Sequence, residues 1–159
     1  MSLEEFKKEL EKKISRDEQM EQKANSDMET DKLDRKEFIM HFQKFYRTQV
    51  INAFRVIKSE LSERFEIDYD RGAAPSFYDD QVIEGIFKFK PIFESQVSEV
   101  YIICVGDSYS KNVSLTSRIK LKTNVPTEVG PMGMQGSLDA ARVTDFVESV
   151  VSILSQISF

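Results

Sequence analysis

Few residues in this chain could carry covalent or acid–base chemistry, and their spacing decides what each can do. There is one histidine, His41, and one cysteine, Cys104. At helical reach His41 has only Glu37 among carboxylates and thiols. A general base or metal ligand needs convergent partners, so we expect a surface or interface histidine. Cys104 sits inside the most apolar stretch, Tyr101 to Val105, where a thiol is a small buried hydrophobe rather than a nucleophile. Asp68-Tyr-Asp-Arg-Gly, with Asp79 further on, echoes a calcium loop. Its glycine falls one place early and its third carboxylate is missing, so we expect Glu66 and Asp68 to stand across from Lys88 and Lys90 instead. Gly130, Gly133 and Gly136 before Ser137 could present backbone amides to an anion. The stretch lacks the Gly-Lys-Ser/Thr of a phosphate loop, and an ordinary helix-entry loop is expected.

Gly106-Asp107-Ser108 after an apolar strand is similar to the Gly-Asp-Ser nucleophile block of the GDSL hydrolases. That family places its serine before a helix and takes its base from an Asp-x-x-His near the carboxyl end. Here a strand pattern follows and no histidine occurs after His41, so a turn is expected. The order helix, three or four strands, helix is similar to metal-dependent nuclease cores, whose strands carry Asp and then Glu-x-Lys. Glu99 is followed by Val100-Tyr101 and Glu84 by Gly85-Ile86, so that motif is missing. No catalytic residue, metal or cofactor is expected, and an enzyme is the least supported class.

Two surfaces carry functional content. On the expected central helix, the side away from the apolar stripe carries Met40, Lys44, Arg47, Ile51, Arg55 and Lys58, a basic line that would suit an acidic partner. The outer face of the expected sheet would gather Lys88, Lys90, Arg118, Lys120 and Lys122 around Tyr101. An apolar centre with a basic rim is how a sheet looks when it binds another protein or, with Tyr101 as a stacking platform, nucleic acid.

The elements that would position these residues follow from periodicity. Phe38, Phe42, Phe45, Tyr46, Gln49, Ala53, Val56 and Ile57 recur at three- and four-residue steps, widened by Val50, Phe54 and Leu61, which predicts a central helix from Thr30 or Asp31 to about Arg64. Before it, Ser2 can cap a helix with the narrow stripe Leu3, Phe6, Leu10 and Ile14, which Lys13 and Asp17 interrupt. Residues 16–32 read as solvated helix or flexible linker, with Asn25-Ser26-Asp27 as the expected break. Period-two patterns predict strands over residues 65–69, 82–93 and 113–123, and a central strand over 99–105 that is apolar on both faces and wants cover on each. Asn124 to Gly136 reads as a loop, and Ser137 as the cap of a last amphipathic helix.

The net charge of −5 is uneven: residues 1–31 balance at −4, residues 36–65 at +3 and residues 66–159 at −5. No segment is basic enough to announce nucleic acid. No apolar run is long enough to span a bilayer. The start lacks the order of a secretory signal and the single cysteine fits a reducing compartment, so a cytoplasmic protein is expected.

We therefore expect an α+β two-layer sandwich: an antiparallel sheet of about four strands with two long helices on one face, in a single domain over residues 32–159, behind a helical arm and flexible linker over residues 1–31. The expected function is a non-enzymatic interaction or assembly module whose partner is protein or a second copy of itself. The alternative is binding of an anionic ligand or nucleic acid on the basic sheet face; no membrane contact is expected.

Overall fold

A computed structural model describes residues 2–123 and 126–159, so Asn124, where the glycine-rich loop was expected to begin, lies outside the described residues. The protein is α+β. The chain divides into two compact units, residues 1–36 and 37–159.

The first unit is one helix. α1 (Leu3–Phe45) starts behind a capping box: the Glu5 amide donates to Ser2 Oγ at 3.2 Å, and the Ser2 amide donates to Glu5 Oε2 at 3.3 Å. Where a break was expected at Asn25-Ser26-Asp27 the helix runs on; Thr30 does not cap a new helix but donates back to the Ser26 carbonyl at 3.0 Å. The arm and the central helix are thus one continuous element.

The second unit opens with the end of α1, a π turn (Tyr46–Val50) and α2 (Ile51–Leu61). The π turn corrects the helical wheel read from the sequence. A π turn holds about one residue more than an α turn, so every later side chain lags in phase. Ile51, expected on the outward basic line, is buried, while Val56 and Gln49, expected in the stripe, are exposed.

The sheet is antiparallel, in the order β1 (Phe65–Tyr69), β3 (Val82–Pro91), β4 (Val97–Asp107), β5 (Asn112–Leu121) and β6 (Glu128–Val129). β2 (Ala74–Pro75) extends the β1 side of β3, and β7 (Gln135–Ser137) pairs with β5. Among the described residues seven strands form rather than about four, because stretches read as loops contribute short pieces to both edges. Glycine and proline hid these from a periodicity search, since neither supplies the alternation that marks a strand. Gly130 and Gly133 donate to the Ser117 and Leu115 carbonyls, so the glycine-rich stretch follows β5 as an interrupted strand.

α3 (Val143–Ser155) begins six residues later than Ser137. Ser137 precedes a 3-10 turn (Leu138–Ala140), and Ala141 then lies buried in an extended conformation that no helix can include. Instead of two long helices, the described residues form one helical run from Leu3 to Leu61 and a second helix of 13 residues.

One core joins these elements. The inward residues of alternate strand positions, Ile67, Phe87, Phe89, Val100, Ile102, Cys104, Val113 and Leu115, share it with Phe42, Tyr46, Phe54 and Ile57 and with Phe146, Val150 and Ile153. Phe54 stacks on Phe87 with ring centroids 3.4 Å apart, and Phe45 meets Phe146 at 5.4 Å. Gly85 and Gly106 make room for the helix: a Cβ at Gly85 would fall 2.1 Å from Tyr46 Cε2, and one at Gly106 2.6 Å from Phe42 Cδ2. β4 is covered on one face only. Val100, Ile102 and Cys104 are fully buried, whereas Tyr101, Ile103 and Val105 on the outer face are half-buried.

Candidate functional site

His41 is exposed. Cys104 is fully buried and burial pushes its thiol far up, so the thiolate is not accessible for nucleophilic attack. Ser108 lies in the β4–β5 turn, where its amide donates to the Gln81 carbonyl and Asp107 Oδ1 accepts from the Tyr109 and Ser110 amides. Among the described residues no group of three or more His, Cys, Asp or Glu could hold a metal ion. Of the amides in the glycine-rich stretch, those of Gly130, Gly133 and Met134 already donate within the protein.

The outer sheet face can be built from the register. Asp68, Lys88, Tyr101 and Arg118 form one row across four strands. Ile86, Ile103 and Thr116 form the next row. On the other side Glu66 stands opposite Lys90, and Glu99 opposite Lys120. The expected residues therefore share one face, apart from Lys122, which is one residue past the end of β5. Each strand lysine, however, stands opposite a carboxylate. Glu66, Asp68, Glu84 and Glu99 match Lys88, Lys90, Arg118 and Lys120 in number, so the face is locally neutral rather than basic. Tyr101 donates its hydroxyl to Glu99, and that hydrogen bond, then burial and the Glu99 charge, push its pKa up to about 12.

On the central helix Lys44, Arg47, Arg55 and Lys58 are exposed, but two of them lie against the sheet side. The Arg47 guanidinium covers Gly72, where an added Cβ would sit 3.4 Å from Nε, and Lys58 Nζ stands 5.8 Å from the centre of the Tyr69 ring. With Ile51 buried, the expected strip is shorter and less apolar than its sequence suggested.

Two features stand out beyond these. In the first unit Leu3, Phe6, Leu10 and Ile14 are 72%, 53%, 45% and 49% exposed along one side of the helix. The stripe was legible in the sequence; its exposure was not. In the second unit Phe77 and Tyr78, before β3, are both more than nine-tenths exposed, their rings 5.2 Å apart and perpendicular. Tyr109 of the β4–β5 turn reaches Asp79 Oδ1 at 3.5 Å, so a third aromatic side chain belongs to the same end of the sheet. Single exposed apolar residues are ordinary, but contiguous aromatics of this size mark contact surfaces. The sequence signal for them was an aromatic pair in Pro75-Ser-Phe-Tyr-Asp-Asp that fits neither helical nor strand periodicity.

No helix among the described residues is long and apolar enough to cross a membrane. The chain matches no protein-family model, no curated protein and no solved structure.

Proposed function

We propose that the protein is a non-enzymatic assembly module whose N-terminal helix associates with a second copy of the chain. The observation that carries this is the exposed stripe Leu3, Phe6, Leu10 and Ile14 on a helix that has no packing partner within its own unit. Helices in proteins owe most of their stability to burial of an apolar face, and each fully buried Leu, Ile or Phe contributes about 1.5–3 kcal/mol. A partner that covers these four side chains stabilises both the helix and the assembly. The aromatic group Phe77, Tyr78 and Tyr109 offers a further contact surface on the second unit.

Binding of an anionic ligand or nucleic acid on Lys88, Lys90, Arg118, Lys120 and Lys122 has less support, because carboxylates stand opposite three of the strand cations. Such binding would weaken steeply with salt.

Light scattering tests the reading. The full chain is expected to have the mass of two copies or more, and Leu10→Glu with Ile14→Glu the mass of one. A full chain of single-copy mass at tens of micromolar would reject it.

A further inference from the structure

We infer that two copies of the N-terminal helix pair antiparallel, crossing near Ser15, in a register that sets each seam residue i beside seam residue 30 − i of the partner. The inference rests on the assembly reading above and adds its geometry. Three observations carry it: the heptad phase of the exposed stripe, the polar residues that interrupt that stripe, and the division of charge along the helix.

With Leu3 as the first seam position, the seam continues through Phe6, Leu10, Lys13, Asp17, Met20, Ala24 and Asp27. Read as one isolated seam, Lys13 and Asp17 are defects. In an antiparallel pair, the first heptad position of one helix meets the fourth heptad position of the other. At the proposed register Phe6 then meets Ala24, Leu10 meets Met20, and Lys13 meets Asp17. The two interruptions become one ion pair, formed twice by symmetry, beside the centre of the seam. The flanking positions, which meet their own kind across the seam two residues off that register, agree: Lys7 stands beside Glu21 and Glu9 beside Lys23, while Ile14 meets its own copy. Against these stand Arg16 beside its own copy and Leu3 beside Asp27.

The charge division points the same way. Residues 7–16 carry five basic and two acidic side chains, a balance of +3, and residues 17–31 carry one basic and six acidic, a balance of −5. A parallel, in-register pair would stack Lys13 on Lys13 and Asp17 on Asp17 within the seam, and would lay the acidic halves together. An antiparallel pair lays each basic half on an acidic one, and like-charge juxtaposition is what selects orientation between helices. Shifting the antiparallel register by one heptad either way sets Leu10 against Asp27 or against Lys13, which leaves the apolar layers mismatched.

Pyrene-labelled single-cysteine variants of the full chain test the orientation; the native Cys104 is fully buried and does not label in the folded protein. Arg16→Cys, next to the crossing point, is expected to give excimer emission on its own. Lys7→Cys alone is expected to give none, because its copies would be 16 residues apart along the axis, about 24 Å. An equimolar mixture of Lys7→Cys and Glu21→Cys is expected to recover the emission. Excimer emission from Lys7→Cys alone would overturn the antiparallel geometry. A two-copy mass with no emission from Arg16→Cys would overturn the register while leaving the assembly reading intact. A one-copy mass for every labelled variant and for the unlabelled chain would overturn both.

Discussion

At the scale of single residues, the closest approaches in the protein are made possible by missing side chains. Tyr46 is fully buried over Gly85, and its hydroxyl donates to the Asp70 carbonyl at 2.6 Å, so the ring cannot swing away. A methyl group there must displace a fixed aromatic ring. Gly85→Ala is therefore expected to destabilise the protein by about 3 kcal/mol, the upper part of the usual range for overpacking. Gly136 has no atom within 4 Å of where a Cβ would stand, and Gly136→Ala should stay within about 0.5 kcal/mol of the parent. Urea denaturation of the two variants checks the contrast, and equal effects would mean that the Tyr46 ring relaxes freely. The sequence placed Gly85 on the inner face of its strand but gave no sign of the ring above it. That contact joins residues 39 positions apart, and periodicity reports only local neighbours.

At the scale of elements, strands announced themselves where one face is buried and the other wet. β1, β3 and β5 alternate as Phe65, Ile67 and Tyr69, as Ile83, Gly85, Phe87 and Phe89, and as Val113, Leu115, Ser117 and Ile119, so their faces were legible. What the sequence hid were departures from ideal geometry: the π turn within the helix, the edge pieces β2, β6 and β7, and the late start of α3. The π turn has the largest consequence, because it decides which residues of α2 enter the core. Deleting the exposed Gln49 removes the extra residue of the π turn, so the helix should become plain α while Ile51 and Phe54 keep their place in the core. Stability within about 1.5 kcal/mol of the parent is therefore expected by urea denaturation, less than the burial of either side chain contributes. A loss of more than about 3 kcal/mol would show that the core depends on the π turn itself. The candidate surfaces follow the same division. The sheet face was legible as a set of residues, but its neutrality emerges only from the register that puts Glu66, Asp68 and Glu99 opposite lysines.

At the scale of the molecule, the proposed assembly would have the two units draw their stability from different sources. The buried core lies entirely within residues 38–157 and is internal to one chain, whereas the proposed packing of the first unit is between chains. Two melting transitions are expected by circular dichroism at 222 nm. The lower one, from the N-terminal helix, should rise with protein concentration, and the upper one should not move, because only an association equilibrium responds to mass action. A single transition that does not shift across a hundredfold dilution would contradict this division. The sheet sets a further condition on how copies can meet. One of its borders is β1 and β2, of five and two residues; the other is β6 and β7, of two and three, with Pro131 between them. Neither border offers an unbroken row of free amides and carbonyls, the feature that lets strangers zip onto a sheet and grow into fibrils. Crowding this protein should thus thicken no sheet, and whatever recognises it has to read its side chains.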